Sequence, residues 1–140
     1  ALATAYARAG RDARVVASLD KARALLERAD ADAVLAVDVP PIASDRAEVD
    51  GLARRIEQLA LDEVVLVLPA VLDLPTARAL LDRLQPLSPT ALALTLDAQA
   101  AELGAAIELA CASRLPIGYV QGDAGIAPAD PASLAERLLR

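Results

Sequence analysis

The sequence predicts an α/β fold: a mainly parallel, doubly wound sheet of about five strands, with helices on both faces. Short apolar segments alternate with helical segments, and connections of this kind between parallel strands are right-handed crossovers. The apolar segments are continuous rather than alternating, as in strands that are covered on both faces. A chain of 140 residues is also typical of one domain, so we expect a single domain over residues 1–140.

The first half of the chain begins with a helical segment, Ala1–Ala9, which Gly10 ends because glycine favours helix C-termini. A short strand, Arg14–Ala17, and a helix, Ser18–Arg28, are predicted next, since serine is a typical N-cap. Ala33–Val37 is apolar throughout and predicts a buried strand. Two prolines shortly after it prevent the strand from continuing.

The second half repeats this pattern. A helix from Ser44 or Asp45 to Leu59 is predicted by apolar residues spaced three and four apart. A strand, Glu63–Leu68, precedes a helix that starts near Pro75, because proline suits the first turn of a helix. The remaining predicted elements are a strand Ala91–Thr95, a helix Ala100–Ser113, a strand Pro116–Val120 and a helix Ser133–Arg140.

Composition excludes several classes of function. The chain has no histidine and one cysteine, so Ser–His and Cys–His catalytic pairs and the usual His/Cys zinc sites are ruled out. A net charge of −6 argues against binding to nucleic acid. We find no apolar run of bilayer-spanning length and no signal segment, so we expect a cytoplasmic protein, with peripheral membrane association left open. The cysteine, Cys111, is expected in the core.

Sheets of this kind bind ligands at the carboxyl ends of their strands, which directs attention to three loops. Asp38 follows the strand Ala33–Val37 and could hold a Mg²⁺-bound water; alternatively, it only ends the strand and starts a turn. Asp97 follows another strand and could accept two hydrogen bonds from guanine, with Thr95 positioning the loop; alternatively, it only caps the next helix. Gly122 follows a third strand, in a loop where the backbone could approach a base or ribose, or in an ordinary flexible loop.

Four segments occur in a specific order: Asp38-Val-Pro-Pro, Thr95-Leu-Asp97, Leu103-Gly-Ala-Ala and Leu115-Pro-Ile-Gly-Tyr-Val-Gln-Gly. In this order they resemble the later part of the GTPase domain of the signal-recognition-particle family, including its flagellar-placement branch. That family has Asp-Thr-Ala-Gly or Asp-Thr-Pro-Pro after a buried strand, then a Thr-Lys-x-Asp guanine-reading segment and a Gly-containing helix after it. It continues with Leu-Pro-Ile-x-Tyr-x-Gly-x-Gly. The resemblance covers about Ala33–Arg140, and the first 30 residues more loosely.

The resemblance implies a P-loop-NTPase-like fold, GTP or GDP with Mg²⁺ as ligand, and a protein partner or a homodimer. It assigns Thr95, Asp97 and Gly122 to the nucleotide and Asp38 to the metal. The chain departs from the family, however, because it lacks the Gly-x-x-x-x-Gly-Lys-Ser/Thr loop that holds phosphates. The lysine of the guanine segment is missing and that segment is one residue short. In Asp38-Val-Pro-Pro the glycine that could offer an amide to the γ-phosphate is missing, and proline has no N–H to donate.

Three hypotheses follow. The first is a GTP-binding domain, seen as a fragment or in shortened form, that does not hydrolyse GTP unless a phosphate loop lies outside this sequence. The second is a non-catalytic pseudo-GTPase that acts as a protein-interaction module. The third is a flavodoxin-like or receiver-like domain, although Lys21, the only lysine, is badly placed for a receiver.

Overall fold

Two compact units make up the chain, Ala1–Pro41 and Ile42–Arg140. The structure, a computed structural model, describes residues 8, 10, 12, 14–16, 18–30, 32–39, 45–95, 103–122 and 125–139. The single domain that we expected over residues 1–140 is not tested by this division and stays a prediction. Among the described residues, no helix is both long and apolar enough to cross a membrane.

The first unit contains helix α1, Leu19–Leu26, whose N-cap Ser18 accepts a hydrogen bond from the backbone N–H of Lys21 at 3.4 Å. The two strands predicted in this unit are wrong for the residues described, because 14–16 and 33–37 lie outside any strand. Val34, expected to be buried, is 97% exposed. An apolar segment becomes a strand only where a neighbour completes its hydrogen-bond ladder, and the described residues of this unit provide none.

The second unit contains a sheet in which neighbouring strands are also consecutive along the chain. Its elements are α2 Arg46–Leu59, β1 Val65–Pro69, α3 Leu74–Leu84, a 3₁₀ turn Gln85–Leu87, β2 Ala91–Thr95, α4 Gly104–Ser113, β3 Ile117–Gly122, β4 Gly125–Pro128 and α5 Pro131–Leu138. The strand order is β1-β2-β3-β4. The first three strands are parallel and β4 is antiparallel to β3. A mostly parallel α/β sheet is therefore confirmed.

The finer architecture differs from the prediction. The described sheet has four strands rather than about five, and β4 was not predicted. Its strand order has no reversal, so the described strands contain no topological switch point of the doubly wound kind. The P-loop-like fold implied by the resemblance stays a prediction.

The core of the second unit lies on one face of the sheet. Leu92 and Leu94 are 0% and 2% exposed and pack with Leu68 against the apolar sides of α3 and α4. A second cluster, centred on Val49 of α2, reaches the same face through Leu66, which is in register with Leu92. Helices on both faces are therefore not shown by the described residues.

Cys111 was predicted to lie in the core, and this prediction is wrong because the residue is exposed on α4. The helix is apolar nearly all round, so its composition does not indicate which side faces the sheet. The structure resolves this ambiguity, because Ala106 and Leu109 form the buried side of α4.

Two helices begin with the same arrangement, an aspartate N-cap followed by a proline in the first turn. The Asp73 carboxylate accepts hydrogen bonds from the backbone N–H and the hydroxyl of Thr76, both at 2.9 Å. Asp130 accepts from the hydroxyl of Ser133 at 2.7 Å and from its backbone N–H at 2.9 Å. These bonds favour the charged form, so the pKa of each aspartate lies below its usual value of 3.8.

Acid should weaken these two caps. Because the pKa of each aspartate is lowered by folding, the stabilisation is complete above the unfolded pKa of about 3.8 and is lost as pH falls through the folded pKa. We expect the melting temperature of the parent to fall more steeply between pH 5 and 3 than that of the variant with Asp73→Asn and Asp130→Asn. Asparagine still caps a helix but does not titrate. If the melting temperatures of the parent and the variant decrease by the same amount as the pH is lowered, this expectation is wrong.

Candidate functional site

Two of the predicted nucleotide residues meet where β2 and β3 end. Thr95 is the last residue of β2 and pairs with Gln121, the neighbour of Gly122 in β3. Because these strands are parallel, both ends lie on the same side of the sheet. We call this position, formed by Thr95, Gln121 and Gly122, the carboxyl edge. Open α/β sheets bind ligands at the carboxyl ends of their strands where the strand order reverses, and the described strands have no such reversal.

The backbone around Thr95 is held to the end of the neighbouring strand. The carbonyl of Thr95 accepts a hydrogen bond from the N–H of Ala70 at 2.9 Å. The Thr95 hydroxyl donates to the carbonyl of Leu68 at 3.5 Å, a long and therefore weak bond. The sheet thus fixes where the carboxyl edge lies, and the Thr95 hydroxyl is directed back to the sheet.

The side chains at the carboxyl edge lie on the sheet face that the helices of the core do not cover. Leu94 belongs to the core and is in register with Val120, so the next pair, Thr95 and Gln121, lies on the opposite face. This open face also carries large apolar side chains that are well exposed: Val67 (60%), Tyr119 (37%) and Ile126 (74%). Such exposure is unusual for strands of a mainly parallel sheet.

Gly122 was predicted in a loop, but it ends β3 and pairs with Gly125 across a β-hairpin. Gly125 has a φ of 110°, a region that residues with a Cβ rarely adopt. One feature of the sequence indicates this hairpin. Two residues separate the glycines at 122 and 125, and a connection of two residues is typical of hairpin turns. The segment that forms β4, Gly125–Pro128, is short and shows no clear strand pattern, so β4 was not predicted.

Asp97 lies outside the described residues, so its guanine-reading role stays a prediction. The alternative reading, in which Asp97 caps the following helix, does not hold for α4, because the N-cap of α4 is Leu103.

Asp38, the predicted metal residue, lies in the first unit, where it is exposed and outside any strand. The prediction that it follows a buried strand is therefore wrong. Among the residues that the structure describes, no three carboxylate or thiol side chains come together as metal ligands. Mg²⁺ is commonly held by one or two carboxylates together with substrate phosphates, so Asp38 fits this ion only if a phosphate supplies further ligands.

A separate cleft of about 560 Å³ lies between α3 and α4, beside Ser88 and Leu115, which precede β2 and β3. It is therefore at the opposite end of the strands from the carboxyl edge. Beside it, Arg78 and Glu108 form an ion pair at 2.8 Å, and both side chains are about half exposed. The cleft lacks glycine-rich backbone and a concentration of one charge, so it does not match the chemistry of a phosphate site.

Comparison with models of known protein families gives no match, and comparison with curated proteins gives none either. The class that the structure defines is thus an α/β fold with an open, mostly parallel sheet of four described strands.

Proposed function

We propose that this chain is a GTPase-like nucleotide-binding domain of the signal-recognition-particle type, and that its carboxyl edge holds a guanine base. The observation that supports the proposal most is the meeting of Thr95 and Gly122 at the ends of adjacent parallel strands. In this proposal Asp97 accepts hydrogen bonds from the base, while Thr95 and Gly122 shape the site beside it. Asp38 belongs to the first unit, and its role in holding Mg²⁺ stays a separate proposal that rests on the resemblance alone.

The proposed site has a base-binding half but not a phosphate-binding half. None of the 140 residues forms a Gly-x-x-x-x-Gly-Lys-Ser/Thr sequence. Prolines 40 and 41 also have no N–H to donate to a phosphate oxygen. Binding by these residues alone should therefore be weak and depend on the base, and we expect no GTP hydrolysis unless a phosphate loop is supplied from outside this sequence.

Titration of the ¹⁵N-labelled protein with GDP and with ADP, each with Mg²⁺, tests the proposal because chemical shifts detect weak binding. We expect GDP to shift the amides of Thr95, Gln121 and Gly122, and to bind more tightly than ADP. The amide of Gln85, before the start of β2, should not move. Absence of these shifts, or equal affinity for GDP and ADP, would overturn the proposed base site.

The alternative is a pseudo-GTPase that serves as a protein-interaction module. The open face favours it, since exposed Val67, Tyr119 and Ile126 form an apolar surface of a kind often found at interfaces. The same titration separates the two candidates. Guanine-selective binding at micromolar concentration would exclude the non-binding module.

A further inference from the structure

We draw no further inference here: the strongest candidate, the open face of the sheet with its exposed Val67, Tyr119 and Ile126, carries none, because nothing among the described residues shows what covers it.

Discussion

Replacing Leu92 with alanine should lower the free energy of unfolding by about 2–5 kcal/mol, the range for leucine in a packed core. Leu92 is 0% exposed, lies in an interior strand and belongs to the cluster that joins β1 and β2 to α3 and α4. Shortening its isobutyl group to methyl leaves a cavity between the helices and the strands, because the packed surroundings relax only in part. Chemical denaturation monitored by far-UV circular dichroism measures the change.

Val67→Ala is the matched control, because it shortens an apolar side chain on the open face of an adjacent strand. Val67 is 60% exposed, so we expect a loss of less than about 1 kcal/mol, mainly from strand propensity. Equal losses for Leu92→Ala and Val67→Ala would show that the two faces are covered to a similar extent. That result would contradict the one-sided core.

Asp97→Asn should reduce guanine affinity about tenfold to a hundredfold under the proposed function, the range for losing a bidentate contact to a base. A carboxylate accepts from both donors of guanine, whereas the carboxamide places an N–H against one of them. Xanthosine diphosphate, which carries an oxygen in place of the 2-amino group, should bind the variant better than it binds the parent. Calorimetric titration with GDP, ADP and xanthosine diphosphate measures all three.

Asp62→Asn provides the control for this variant. Asp62 is exposed in the turn that precedes β1, so the substitution makes the same charge change at the other end of the strands. Its nucleotide affinities should equal those of the parent. If Asp97→Asn also leaves them unchanged, Asp97 does not read the base.

Three of the four described strands of the second unit were predictable because each contains a short, mainly apolar run between turn residues. The predicted Glu63–Leu68, Ala91–Thr95 and Pro116–Val120 correspond to β1, β2 and β3 within two residues at either end. The run Ala33–Val37 has the same composition, yet its described residues form no strand. Composition shows that a segment can be a strand, but pairing depends on a partner elsewhere in the chain, which a local pattern does not identify.

The candidate site was predictable to the extent that parallel strands bring their carboxyl ends together. That rule predicted that Thr95 and Gly122 lie near each other, and in the structure Gly122 follows Gln121, the partner of Thr95. Their role in binding a nucleotide stays a prediction. Gln121 was missed because its segment was read as a loop, whereas it continues β3, with Tyr119 and Gln121 on one face. The Mg²⁺ role of Asp38 depended on a buried strand before it, and the described residues provide no such strand.

The consecutive strand order of the second unit also bears on how it folds. Each parallel strand pairs with the next one along the chain, and the Val64–Thr90 bond that starts the first pairing spans 26 residues. The entropy cost of closing such a loop grows only slowly with its length, and it is similar for each successive crossover. The sheet can therefore grow by adding one strand at a time to an existing edge, without waiting for distant parts of the chain. Pairing of consecutive strands gives a lower contact order than pairing of strands far apart in sequence, and folding rates rise as contact order falls.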